Sequence, residues 1–210
     1  MNLEIIHVGL LGTNCYVSWD EDKNCVVVDC GGDADKVADF IREKGLTPTH
    51  LLLTHGHGDH MGGVADLKEI FPEIKIVLGE RDLEMIGDGE KSMSNAVAPY
   101  AKPFTPDILV KEGDKITSGN TVFTVMETPG HTPGGITYFK GNEMYCGDTL
   151  FQGSMGRTDL YGGDDTAMFA SLKRLGQLDG YYKVFPGTGS ATNLDDEKVA
   201  NPFLRRAIKM

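Results

Sequence analysis

The sequence predicts an α+β protein made of two β-sheets with helices on their outer sides. Two observations lead there. A β-rich stretch followed by helical spacing occurs twice along the chain, once before and once after residue 107. Glycine is abundant, 27 of 210 residues, which favours short strands joined by tight turns. The length suits one domain over residues 1–210, enough to bury a sizeable core.

Taken in order, Leu3–Val8, Cys15–Trp19 and Cys25–Asp29 read as strands, separated by turns at Gly12-Thr13-Asn14 and Asp20–Asn24. Asp33–Lys44 carries Val37, Phe40 and Ile41 at helical spacing and stops at Gly45. His50–Thr54 is a continuous apolar run, the pattern of a strand buried on both faces. Val64–Phe71 reads as a helix stopped by Pro72, and Ile74–Leu78 as another buried strand. Residues 87–107, broken by Gly87, Gly89, Pro99, Pro103 and Pro106, read as a long loop of the functional kind. The second half gives strands at Thr121–Glu127, Ile136–Phe139, Glu143–Cys146 and Lys183–Phe185. Its helices fall at Thr166–Leu175 and near Glu197–Lys209.

Composition narrows the function. A net charge of −11 argues against a nucleic-acid groove or an anionic membrane surface as partner. No apolar run approaches the roughly 20 residues needed to span a bilayer. Met1–Leu11 lacks the basic start and small-residue cleavage site of a secretion signal. The four cysteines, Cys15, Cys25, Cys30 and Cys146, form no Cys-x-x-Cys pair. With no export signal they read as reduced thiols of a cytoplasmic protein. The expected partner is a small-molecule substrate.

The chemistry concentrates in Thr54-His55-Gly56-His57-Gly58-Asp59-His60, which holds three of the six histidines and a carboxylate. Imidazole and carboxylate are the ligands of zinc and similar divalent metals, and the interleaved glycines let alternate side chains converge. Asp29, His131 and Asp148 each follow a strand and precede a glycine-rich turn, a placement that can bring polar groups to one sheet edge. Taken singly, each also fits a plain turn: His131 as a cap, Asp148 bonded to Thr149, Asp29 bonded to Gly31.

In order along the chain stand the His-x-His-x-Asp-His run, Gly62-Gly63, the block Thr128–Gly135 around His131, and Gly147-Asp148-Thr149-Leu150-Phe151. This set resembles the metallo-β-lactamase-fold hydrolases. Through Thr13-Asn14-Cys15-Tyr16 and Gly153–Asp159 it is more similar to the hydroxyacylglutathione hydrolase (glyoxalase II-like) branch. The resemblance implies a four-layer αββα sandwich with metal at one edge. It implies that His55, His57 and His131 hold one metal, that Asp59 and His60 hold a second, and that Asp148 bridges them. Asp29 would stand behind the ligands and orient them. Zinc is the expected metal, one or two per chain, with iron or manganese as other choices.

The implied reaction is hydrolysis of a small thioester or related acyl substrate by hydroxide generated at the metal, with Asp59 orienting the nucleophile and accepting its proton. Arg157 and Tyr161 are candidate substrate contacts. Arg157 has a structural alternative, a salt bridge to Asp159 or Asp164. Two departures from the family pattern matter. Where the family carries a last histidine in Pro-Gly-His-Gly, this chain reads Pro186-Gly187-Thr188-Gly189, and a neutral hydroxyl is a poor zinc ligand. A single-metal enzyme, a second site completed by water or product, and an engineered substitution all fit. The tail up to Met210 offers only Arg205, Arg206 and Lys209, so a short form without the glutathione-gripping C-terminal region is expected. Two rivals stand beside hydrolysis: a single-iron persulfide dioxygenase-like oxidation, and a metal-binding protein with impaired catalysis. Acidity disfavours a nuclease, and the lack of an export signal disfavours a lactamase.

Overall fold

The computed structural model describes residues 2–210. The first half runs β1 (Leu3–Val8), β2 (Thr13–Trp19), β3 (Asn24–Val28), α1 (Ala34–Glu43), β4 (Thr47–Leu52), α2 (Gly58–Met61), α3 (Val64–Ile70) and β5 (Lys75–Gly79). A 3₁₀ turn, Glu80–Met85, follows β5, and α4 (Ser94–Val97) sits inside the long loop. The chain continues through β6 (Ile108–Val110), β7 (Lys115–Ser118), β8 (Thr121–Glu127), β9 (Ile136–Lys140) and β10 (Glu143–Gly147). Last come the small hairpin β11 (Leu150–Phe151) and β12 (Ser154–Met155), then α5 (Asp165–Gly176), β13 (Lys183–Pro186), β14 (Thr192–Asn193), α6 (Leu194–Ala200) and α7 (Pro202–Lys209).

Two six-stranded sheets result, in the orders β1-β2-β3-β4-β5-β6 and β14-β13-β10-β9-β8-β7. β3, β4, β5 and β6 pair in parallel, as do β10 and β13; every other neighbouring pair is antiparallel. The parallel strands deliver their carboxyl ends to the same edge of each sheet.

Three apolar layers explain the continuous hydrophobic runs. Along a strand successive side chains point to opposite faces, so a run buried on both sides needs apolar residues at every position. In β3, Cys25 and Val27 pack outward with Val37 and Ile41 of α1 and Leu67 of α3. Val26 and Val28 turn inward to meet Phe123, Tyr138 and Tyr145 of the other sheet. In β10, Tyr145 joins that inner layer, while Met144 and Cys146 face Met168 and Leu172 of α5 and Leu204 of α7. Helix, sheet, sheet and helix are thus stacked in four layers. An aromatic cluster fills the centre: Tyr16 lies 5.4 Å from both Tyr145 and Phe185, and those two stack at 5.1 Å. Each such pair contributes about 0.5–1.5 kcal/mol beyond area burial.

Several boundaries differ from the sequence reading. β4 starts at Thr47 rather than His50, because Thr47 and Pro48 pair with Asn24 and Cys25, and it ends at Leu52, where the chain leaves for the histidine loop. β2 takes in Thr13 and Asn14, read above as part of a turn, since both pair with β1. β6 and β7, of three and four residues, are too short to show a pattern. The single C-terminal helix expected over Glu197–Lys209 is two helices. Pro202 disfavours helical backbone at Asn201, whose side chain then caps α7 by accepting from the Phe203 and Leu204 amides. No helix among the described residues is long and apolar enough to cross a membrane.

Candidate metal centre

The histidine loop is anchored at both ends by one buried carboxylate. Asp29, at the end of β3 with φ +56°, accepts from the Thr54 amide and the Thr54 hydroxyl, both at 2.8 Å. It also accepts from His60 Nδ1 at 2.8 Å. The loop passes so close that a Cβ on Gly31 would fall 1.7 Å from the Asp59 carbonyl oxygen. His55, His57, His60 and His131 are all buried.

Hydrogen bonding sets which ring nitrogen each of three histidines turns to the site. His131 Nδ1 lies 2.7 Å from the Arg157 carbonyl, an obligate acceptor, so Nδ1 carries the proton and Nε2 presents a lone pair. His60 Nδ1 donates to Asp29 in the same way, leaving Nε2 to face Asp148 Oδ1 at 3.3 Å and Asp59 Oδ2 at 3.6 Å. The Thr54 hydroxyl has given its proton to Asp29, so at 3.1 Å it accepts from His55 Nδ1, freeing His55 Nε2. His57 Nδ1 lies 2.9 Å from His131 Nε2, and Asp148 Oδ2 is 3.5 Å from that same nitrogen. The ligand atoms of His55, His57 and His131 lie within 4.8 Å of one another, as do those of His55, His60 and Asp148. Nε2 of His55, His57 and His60 and Oδ1 of Asp148 are buried without a hydrogen-bond partner. Orphaned donor atoms of this chemistry, converging at the edge of a sandwich, fit a divalent cation.

Electrostatics divides the cluster. Burial, reinforced by the neighbouring imidazoles, holds His55 well below the ordinary histidine value and pulls His57 down to about 3. Both are neutral, the form that ligates metal. Burial also works against protonation of His60, yet the carboxylates of Asp59, Asp29 and Asp148 outweigh it and hold His60 well above the ordinary value. Burial alone would raise Asp148; the charge of His60, 3.3 Å away, lowers it instead.

The remaining candidates are placed as follows. Asp59 is partly exposed at the mouth, with Thr13 Oγ1 donating to its Oδ2 at 3.5 Å. Thr188 lies on the loop after β13. That loop is tied down by Asn14 Nδ2, which donates to the Pro186 and Gly189 carbonyls at 3.0 and 2.9 Å, and by the Tyr16 hydroxyl, which donates to Pro186 at 2.6 Å. It runs against the site: a Cβ on Gly187 would meet Asp148 Oδ1 at 2.2 Å and His60 Cε1 at 2.5 Å. The Arg157 guanidinium is exposed and paired with Asp159 at 2.6 and 2.8 Å, so its contribution to the centre is its main-chain carbonyl. Tyr161 lies at the surface beneath the Lys91 ammonium, 4.8 Å from the ring centroid, and Lys91 is held by Glu84 at 2.9 Å.

One residue escapes the sequence reading. Asp82, in the turn after β5, is fully buried and accepts from Gly56 N (2.9 Å), Thr132 Oγ1 (2.7 Å) and Gly134 N (2.6 Å). Burial pushes its carboxyl above the usual range, against the pull of those hydrogen bonds. Its setting, Glu80-Arg81-Asp82-Leu83-Glu84, looks like any charged surface turn. The one available signal is its position just past a buried strand, which Asp29 and the histidine loop share.

Known proteins share this architecture. The model of the Metallo-beta-lactamase superfamily matches residues 8–187. Hydroxyacylglutathione hydrolase GloC of Haemophilus influenzae is 35% identical over 208 residues, covering 97% of this chain and 98% of that protein. The crystal structure of the B3 metallo-beta-lactamase BLEG-1 superposes with a TM-score of 0.89 at 35% identity, covering 96% of this chain and 99% of the other. That of TTHA1623, in a di-iron-bound form, gives 0.84 at 35% identity, covering 95% and 99%.

Proposed function

The chain belongs to the metallo-beta-lactamase superfamily, and from that premise we propose that it is a metal-dependent hydrolase of a small acyl compound, most of all a thioester. The observation that carries this reading is the convergence of His55, His57 and His131, with one ring nitrogen of His55 and of His131 fixed by a hydrogen bond and the other turned inward. In this reading His55, His57 and His131 hold one metal, Asp59 and His60 serve a second position, and Asp148 stands between. Zinc is the proposed metal; the di-iron relative makes iron the first alternative to test.

A bound divalent metal supplies a lowered pKa for water and polarisation of the scissile carbonyl. The protein supplies the rest. Asp59, held by Thr13, orients the attacking water and receives its proton at Oδ2. Asp29 keeps His55 and His60 in the tautomers that face the site. A thiolate leaves without protonation, so no general acid is required. The similarity to GloC favours a hydroxyacyl thioester, and a small-molecule substrate met in the cytoplasm completes the proposal.

A substrate panel tests it. Purified protein loaded with zinc is assayed on a lactoyl thioester and on a β-lactam. Thioester cleavage that disappears on chelation and returns with zinc is the expected result. Faster opening of the β-lactam, as the B3 lactamase relative would suggest, or thioester cleavage indifferent to chelation, contradicts it.

A further inference from the structure

The two loops that bring His55, His57 and His131 together come from different sheets, and little in the backbone fixes their separation. One bond, from the Ile136 amide to the Thr54 carbonyl at 2.8 Å, joins their roots. Besides the direct His57–His131 contact at 2.9 Å, Asp82 is, among the described residues, the only side chain outside the two loops with hydrogen bonds to both. Its Oδ2 accepts from the amide of Gly56, the residue between His55 and His57. The same oxygen accepts from the hydroxyl of Thr132, next to His131, and Oδ1 accepts from the amide of Gly134. The approach is close enough that a Cβ on Gly134 would lie 2.4 Å from the Asp82 amide nitrogen. A buried carboxylate is costly unless its oxygens are satisfied, and here three donors from two loops satisfy it.

We propose that Asp82 is a positioning residue, a clamp that sets the separation of the His55/His57 loop and the His131 loop and so fixes the geometry of the three-histidine site. The inference rests on the reading of those histidines as metal ligands. Asp82 touches neither substrate nor ligand atom; it acts through the backbone on either side of them. Asparagine cannot replace it. A carboxylate is acceptor-only, whereas an amide has one acceptor oxygen, so either orientation sets its NH₂ against a backbone N–H, of Gly56 or of Gly134. In one orientation the His131 loop loses the Gly134 bond and is left with Thr132 alone; in the other the His55/His57 loop loses its single bond, from Gly56, and neither changes the volume.

The test is a chelator-competition titration of the metal-free protein with zinc, alongside thermal unfolding of the same samples. Asp82→Asn is expected to weaken the first zinc equivalent by about 10–100-fold, the range for groups that orient ligands. Thr132→Val, which removes one of three donors, should weaken it less, and Thr132→Ser should restore it; this pair decides the matter if Asp82→Asn does not fold. Asp20→Asn is the control. Asp20 is also buried and accepts from two backbone amides, but in the Asn24 and Asn120 turns away from the site. It is expected to lower the unfolding temperature and leave zinc affinity unchanged. Wild-type affinity in Asp82→Asn, or an equal loss in Asp20→Asn, overturns the proposal while leaving the metal reading intact. A wild-type protein that takes up no zinc overturns the metal reading and the clamp with it.

Discussion

The two halves of the histidine loop converge on one site in opposite electrostatic settings. His55 and His57 are pulled down by burial and pack against His131, with His57 Nδ1 donating toward His131 Nε2 at 2.9 Å. His60 sits among three carboxylates, Asp59, Asp29 and Asp148, and is charged by them. Both halves hold unpartnered ligand atoms, Nε2 of His55 and His57 in the first and Nε2 of His60 in the second. In the second, the pKa of His60 is raised among those carboxylates, and Thr188, whose hydroxyl is a poor zinc ligand, lies on the loop beside it. In the proposed reading a metal there competes with the proton that the carboxylates favour on His60, whereas His55 and His57 have none to displace. On that proposal, one ligand loop serves two metal positions of unequal strength.

Breaking the first half should cost most. His57→Ala is expected to lower thioesterase activity by on the order of a thousandfold, the scale of losing a metal's charge stabilisation, and to abolish tight zinc uptake. Steady-state kinetics with metal analysis on the same sample checks both. Repairing the second half comes next: Thr188→His should tighten the second zinc equivalent by about tenfold or more, since it replaces a hydroxyl with a true zinc ligand. Titration of wild type and variant side by side gives the answer, and unchanged affinity would place the weakness in the His60 ion pairs instead.

Titration behaviour should separate the halves as well. The His57 pKa of about 3 lies below its ordinary value of 6.5, so between those values the unfolded chain binds more protons. The metal-free protein therefore loses stability as pH falls from 6.5 toward 3. The His60 shift has the opposite sign: its stabilisation is complete below 6.5 and is lost as pH rises through its raised folded value. Chemical denaturation across pH should show His57→Gln flattening the acid limb and His60→Gln the alkaline one. The smallest effect belongs to Arg157→Ala, with less than about a twofold change in kcat, because its guanidinium is engaged in an exposed pair while its carbonyl is what holds His131. A large rise in KM alone would instead return Arg157 to the list of substrate contacts.

What the sequence disclosed follows the same physics. The layers were legible because a strand buried on both faces leaves an unbroken apolar run, as at Leu51-Leu52-Leu53, and the histidine loop because its imidazole and carboxylate residues are contiguous. Short strands such as Ile108–Val110 carry too few residues to show a period. The break at Asn201-Pro202 was visible in the proline but passed over within one amphipathic stretch. Asp82 was illegible for a different reason: the donors that give it meaning lie 26, 50 and 52 residues away.

The central claim, one strong and one weak position on a single loop, is tested most directly by stepwise zinc titration of the metal-free protein. One tightly held equivalent is expected, with a second bound at least about tenfold more weakly. Two equivalents of equal affinity, or none, would contradict it.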